Sequence, residues 1–172
     1  MSGPEIIASL AVSADGFVAD RDGGVGFLDG FDPSSLGFDA FLAGIDTVVM
    51  GRTTFDQVQG FGAWPYAGKH GLLLTSRAAY LPEGMVAVAP EARCITPALA
   101  GLKARRVWVV GGPRTVALCL GAGLLDRIEL HVIPRTIGAG IPLALPPACL
   151  ALDAAEAVGS SVARLCWRVQ RP

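Results

Sequence analysis

Three short stretches place anion-binding residue types where an apolar run stops. In Val107-Trp108-Val109-Val110-Gly111-Gly112-Pro113-Arg114-Thr115-Val116 an aliphatic strand runs into two glycines and then a helix. Such a turn lets backbone N–H groups approach a diphosphate at the positive end of a helix dipole. The run is not G-x-G-x-x-G, and G-x-x-x-x-G-K-S/T is absent from the chain, so neither standard nucleotide fingerprint applies. As a bare pattern it fits a tight left-handed turn equally well.

A second junction, Thr47-Val48-Val49-Met50-Gly51-Arg52-Thr53-Thr54-Phe55, adds a cation. Gly51 permits close approach, Arg52 can pair with a phosphate, and Thr53 or Thr54 can cap the following helix. The plainer alternative is a surface arginine beside an ordinary cap. A third, Leu72-Leu73-Leu74-Thr75-Ser76-Arg77, ends a strand in two hydroxyls and a guanidinium. Three anion-capable strand ends in one chain are harder to attribute to chance than any one of them.

Other residues carry two readings each. Asp15 precedes Gly16 and suits an Asx turn as well as a site residue. His131 sits in an apolar strand, where it can supply a proton or, alternating with Glu129, occupy an exposed face. Trp64 and Tyr66 lie in the glycine-rich loop 60–68 and can stack on a planar ring or pack the base of their own loop. Trp108 and Trp167, on strands, read as core residues.

Composition narrows the chemistry. Hydrophobic residues make up 52% of the 172 and charged residues 17%, which excludes a disordered or supercharged chain and fits one domain with a substantial core. A formal charge of −1 supplies no field to hold a polyanion, so nucleic acid is not expected as a partner. Cys94, Cys119, Cys149 and Cys166 form no C-x-x-C pair, and the histidines are His70 and His131, so a zinc cluster has no support. Each cysteine lies in an apolar run, which suits a reduced buried thiol. Glu5 precedes the first apolar run without a basic leader, and no uncharged stretch reaches the ~18 residues of a spanning helix. A cytoplasmic protein without membrane contact is expected.

The elements that must position these residues alternate. Strands are predicted over 6–12, 47–50, 72–75, 85–88, 107–110 and 128–133, several of them apolar throughout and so covered on both faces. Helices are predicted over 34–44, 53–59 and 115–120, with a fourth over 97–102 capped by Thr96. Two extended runs, 149–158 and 161–170, joined around Gly159 and Ser160, read as a hairpin. The pattern is α/β, a mostly parallel sheet finished by antiparallel strands. The apolar strand 128–133 and the hairpin suggest a two-fold homodimer covering exposed sheet.

The order V-V-M-G-R-T-T-F from Val48, G-K-H-G-L-L-L-T-S-R from Gly68, V-W-V-V-G-G from Val107 and the run from Ala122 to Leu143 resembles the dihydrofolate reductase-like superfamily. Within it the chain is most similar to the C-terminal reductase domain of bacterial riboflavin biosynthesis. Ser13-Ala14-Asp15-Gly16 also looks like that branch's S-x-D-G segment. The resemblance spans nearly the whole chain and implies a single-domain three-layer fold.

It also implies NADPH as cofactor. Gly51, Arg52 and Thr53 match the segment at the adenosine 2′-phosphate, Thr75, Ser76 and Arg77 the strand end beside the same phosphate, and Gly111 and Gly112, followed by Arg114, the diphosphate turn. Two guanidiniums and short donors suit a doubly charged phosphomonoester, which favours NADPH over NADH. Asp15 would lie near the nicotinamide and His131 near cofactor or substrate as candidate catalytic residues. The chain departs from the pattern at Pro113, which removes one N–H from the turn, and at Ser35, where folate enzymes place a carboxylate. The neighbouring Asp29, Asp32 and Asp39 read as loop and cap residues.

The function expected is an NADPH-dependent reductase delivering hydride to a small conjugated C=N or C=O compound, such as a pterin or a pyrimidine sugar derivative. One alternative is the reductase of riboflavin biosynthesis, which acts on a ribosylamino-pyrimidine phosphate. Near its N-terminal loop the chain offers that phosphate only Arg21. Another is a nucleotide-binding or oligomerising domain without turnover.

Overall fold

The computed structural model describes residues 3–159 and 161–171. Continuous aliphatic runs form the centre of the sheet: β1 (Glu5–Ser13), β3 (Thr47–Gly51), β4 (His70–Leu74), β5 (Met85–Val88), β6 (Arg106–Gly111) and β7 (Arg127–Ile133). With β10 (Val162–Gln170) and β9 (Cys149–Val158) they make eight strands in the order β5-β4-β3-β6-β1-β7-β10-β9. The first six are mutually parallel, while β10 runs antiparallel to β7 and β9 antiparallel to β10. Ser160, in the expected hairpin turn, lies outside the described residues.

Alternation along each strand feeds two cores. Val49, Val107, Val109 and Leu72 pack with α3 (Ala92–Gly101) and α4 (Pro113–Gly121) through Ile95, Leu99, Val116 and Cys119. Val48, Met50, Leu73 and Trp108 face the other way, against α1 (Phe38–Ala43) and α2 (Arg52–Gln59) through Phe38, Phe41, Phe55 and Val58. Helices on both faces of one sheet give the three-layer α/β fold.

Several local expectations are corrected. The helix expected over 34–44 is two pieces, a 3-10 turn Pro33–Leu36 and α1, because Gly37 enters the left-handed region at φ 81° and stops the first. Helix α2 begins at Arg52, with Gly51 at its cap and no side chain capping it, so neither Thr53 nor Thr54 has that role. Helix α3 begins at Ala92 and takes Pro97 inside it. Ile95 and Leu99, 1% and 2% exposed, dock one helical turn apart on the sheet, and that burial outweighs the hydrogen bond proline cannot make. Strand β4 stops at Leu74, just short of Thr75.

Strand β7 lies between β1 and β10, so residues 128–133 are interior and the sheet's edges are β5 and β9. The four cysteines are free thiols, but only Cys119 is fully buried; Cys149 is exposed because it opens the edge strand β9. A small pairing absent from the sequence reading joins β2 (Phe17–Ala19) to β8 (Ile141–Pro142) beside the main sheet. Among the described residues no helix is long and apolar enough to cross a membrane.

Trp108 is the pivot of the α1/α2 side. Its ring meets Phe38, Phe41 and Tyr66 edge-on with centroids 5.4, 5.5 and 5.7 Å away, and Trp64 bridges Tyr66 to Phe55. The loop aromatics therefore pack their own base. The indole Nε1 donates to the Ser9 carbonyl at 3.0 Å, satisfying the one polar group this cluster buries on Trp108. Trp108→Ala is expected to cost about 3–5 kcal/mol, read as a lowered urea midpoint with unchanged slope.

Candidate active site

The carboxyl ends of the parallel strands open into one cavity of about 1080 Å³. Ser9, Leu10 and Ala11 from β1, Gly51 from β3, Leu74 from β4, Val110 from β6, and His131 and Ile133 from β7 form its base. This is where open α/β sheets usually hold ligands, since the strand ends and following loops diverge there.

At one end of the cavity two helices begin side by side. Gly51 precedes α2 and Gly112 precedes α4, and neither helix start is capped by a side chain, so their leading N–H groups have no side-chain competitor. At Gly51 space requires glycine, since a Cβ there would sit 2.7 Å from Thr115 Oγ1, whereas one on Gly112 would meet Thr54 Oγ1 at an ordinary contact distance of 3.4 Å. Gly111 adopts φ 133°, and the Gly111–Gly112 peptide is cis. Pro113 occupies the first turn of α4, where its ring suits the helix and its missing N–H shortens the donor row.

Arg52, Thr53 and Arg114 line the same end. The Arg52 guanidinium is oriented by Asp56, whose oxygens accept from Nε at 2.7 and 2.9 Å, and by the Ala78 carbonyl, 2.8 Å from Nη1. Thr75, Ser76 and Arg77 are drawn up beside it by that last contact but do not line the cavity. The Arg77 N–H donates to Thr75 Oγ1 at 3.1 Å, which shapes the turn leaving β4. Gly51, Arg52, Thr53, Gly112, Arg114 and His131 thus meet at one cavity, Gly111 directly precedes Gly112, and residues 75–77 stay outside the lining.

Asp15 does not reach the cavity lining. It accepts from Ser13 Oγ at 2.6 Å, from the Ile137 N–H at 3.2 Å and from the Gly138 N–H at 2.8 Å, fastening the turn after β1 to the loop after β7. The Ser13 hydrogen bond, helped by those N–H groups, holds its carboxyl below the usual 3.8. Its observed place is a loop brace. Ser35 donates to the Asp32 carbonyl, Asp32 caps the turn at Ser34, and among the described residues no Asp or Glu lines the cavity.

His131 does line it, with a side chain 13% exposed. Its Nε2 is buried without a hydrogen-bond partner, 3.6 Å from Glu129 Oε1. Burial pushes the imidazole below 6.5, Arg164 pushes the same way, and both outweigh the upward pull of Glu129 and the Leu36 backbone. Around the imidazole, Arg164 is itself paired with Glu156, and Cys166 Sγ lies 3.5 Å from Glu129 Oε2.

Ser9, Gln57 and Trp108 line the cavity without having been singled out as site residues. Ser9 carried a signal, a hydroxyl alone in an aliphatic strand. Gln57 carried none, because its role is to reach across and donate to the Gly23 carbonyl at 3.1 Å.

No family model matches the chain. It is 33% identical over 137 residues to the uncharacterized protein YwjB of Bacillus subtilis, covering 78% of this chain and 79% of the relative. A structure of a protein from Shewanella sp. PV-4 named for riboflavin biosynthesis superposes with a TM-score of 0.84 at 26% identity, covering 97% of this chain and 99% of that one. Dihydrofolate reductase of Enterococcus faecalis, solved with NADP(H), superposes with a TM-score of 0.70 at 18% identity and 97% coverage of both chains.

Because the unfolded chain binds a proton near 6.5 and the folded His131 only at lower pH, folding is favoured most above 6.5. That advantage fades as pH falls through the depressed value. Thermal melts from about pH 7 to about pH 5 are expected to show a falling Tm that flattens in His131→Gln. Asp15 acts only below 3.8, outside this window.

Proposed function

The chain belongs to the dihydrofolate reductase-like superfamily, and from that premise we propose that it is an NADPH-dependent reductase of a small conjugated C=N or C=O compound. One observation carries the reading. Two uncapped helix starts and two guanidiniums, Arg52 and Arg114, meet at one end of a cavity whose other end is apolar. That donor set fits a dinucleotide phosphate: glycine-lined backbone for the diphosphate, cations for the 2′-phosphate. The close contact that a Cβ at Gly51 would crowd agrees with such a fit.

When bound, the cofactor supplies a hydride from its nicotinamide, and the protein's part is alignment and exclusion of water. Gly51, Gly112 and the first N–H groups of α2 and α4 would hold the diphosphate, with Arg52, steadied by Asp56, at the phosphomonoester. Leu28, Phe31 and Phe38 keep the reacting end dry. His131, kept neutral near pH 7 by its burial, places an uncharged imidazole in the cavity floor rather than a full positive charge. With Ser35 on the outer side of its turn and no carboxylate in the lining, protonation of a pterin ring is left to solvent. Removing general acid assistance costs about 10²–10⁴-fold, so dihydrofolate belongs among the slowest substrates.

NADPH is expected to bind at least about tenfold more tightly than NADH, roughly 1.4 kcal/mol. Arg52→Ala should weaken NADPH and leave NADH nearly unchanged. Fluorescence titration reads both, and equal affinities in the unaltered protein count against the cofactor assignment. NADPH oxidation across a panel of reducible rings tests turnover; binding with no oxidation of any member favours a nucleotide-binding domain without catalysis.

The same reading includes a homodimer. Strand β9 leaves a ten-residue edge unpaired and holds Leu150 and Leu152 at 40% and 60% exposure, a combination that invites a second copy. Light scattering should find a dimer at micromolar concentration, converted to monomer by Leu152→Lys.

A further inference from the structure

The two ends of the cavity differ in charge in a way that bears on the acceptor. Arg52 and Arg114 are the cationic side chains among its described lining residues, and both belong to the end where α2 and α4 start. At the other end the walls are Val25, Leu28, Phe31, Leu36, Phe38 and Ile133.

Arg135 and Arg164 are committed elsewhere, and Arg21, on the exposed loop after β2, does not line the cavity. Arg135 donates to the Phe27 carbonyl at 3.2 Å and lies 5.0 Å from the centre of the Phe31 ring without lining the cavity. Arg164 is paired with Glu156. A phosphate or carboxylate entering the apolar end would shed its water and meet no opposite charge, a strongly unfavourable exchange. A flat neutral ring would lose little there and gain contact with Phe31 and Phe38.

The polar side chains of that floor are Ser9 and His131, on the same side of neighbouring strands. In register Ser9 pairs with Glu129 and Ala11 with His131, so Ser9, Ala11 and His131 face the cavity together. Gln57 is occupied by the Gly23 carbonyl.

Resting on the reductase reading, we infer that the acceptor is an uncharged, unphosphorylated conjugated ring, its polar edge toward Ser9 and His131 and its apolar body against Phe31, Leu36 and Phe38. A sugar phosphate of the kind reduced in riboflavin synthesis is thereby selected against.

Calorimetric titration with two matched pairs tests this: 6-hydroxymethylpterin against pterin-6-carboxylate, and uridine against uridine 5′-phosphate, each with and without saturating NADP+. The neutral member of at least the pterin pair should bind about tenfold or more tightly than its anion under both conditions. Leu36→Lys, and independently Leu28→Lys, each checked for an intact melting transition, should reverse the order. Tighter or equal binding of the anion, binding of neither pterin at about millimolar concentration, or an order unmoved by both folded lysine variants overturns the inference. NADP+ binding is read in the same titrations: its failure beside an intact neutral preference removes the reductase reading alone. Its success beside an anion preference removes the acceptor class alone.

Discussion

The edge-on packing of Phe38, Phe41 and Tyr66 around Trp108 is the contact on which the site's geometry depends. Trp108 sits on β6, two residues before Val110 and three before Gly111, and its indole is tied to β1 through the Ser9 carbonyl. One side chain therefore fixes the distance between two central strands, the seat of α1 and the base of the loop 60–68. Phe38 and Trp108 also line the cavity, so the core and the binding wall are partly the same atoms. A loosened core would be felt as a distorted cavity wall before it was felt as an unfolded chain.

Charge is distributed against that frame. Carboxylates cluster at the opposite ends of the strands, where Glu5 meets Arg106 and Arg127, and Asp153 meets Arg127 and Arg168. These partly exposed pairs add little stability individually. At the cavity end the arginines line the opening without an acid among the lining residues, and Asp56 steadies Arg52 from the exposed side of α2. The result is a positive mouth leading to a neutral interior. On the proposed reductase reading, the protein provides orientation and dryness and leaves bond-making to the cofactor and acceptor it would bind.

Much of this was legible in the sequence because strands that are apolar throughout have no other place than the middle of a covered sheet. The glycine-ended junction at Gly51 was readable for a related reason: only glycine tolerates the approach of Thr115. Asp15 was ambiguous, since an S-x-D-G turn looks the same whether its carboxylate meets a ligand or the N–H groups of Ile137 and Gly138. Pro97 misled, as its local preference for a helix start yields to the tertiary burial of Ile95 and Leu99. The strand 128–133 gave no sign that the hairpin would fold back onto it and make β9 the edge. The apolar acceptor end is assembled from loop and short-helix residues without periodicity, so it became visible only once folded.

On the proposed function, the acceptor walls come largely from one continuous stretch, Val18, Val25, Leu28, Phe31, Leu36 and Phe38, running from β2 to the start of α1, whereas the cofactor end is gathered from the junctions at residues 51–54 and 112–115. Genetic change can act on them separately. A substitution, insertion or exchange confined to that stretch can alter what is reduced while the reductant's seat is inherited intact. Lineages built on this scaffold are free to diverge in diet before they diverge in machinery.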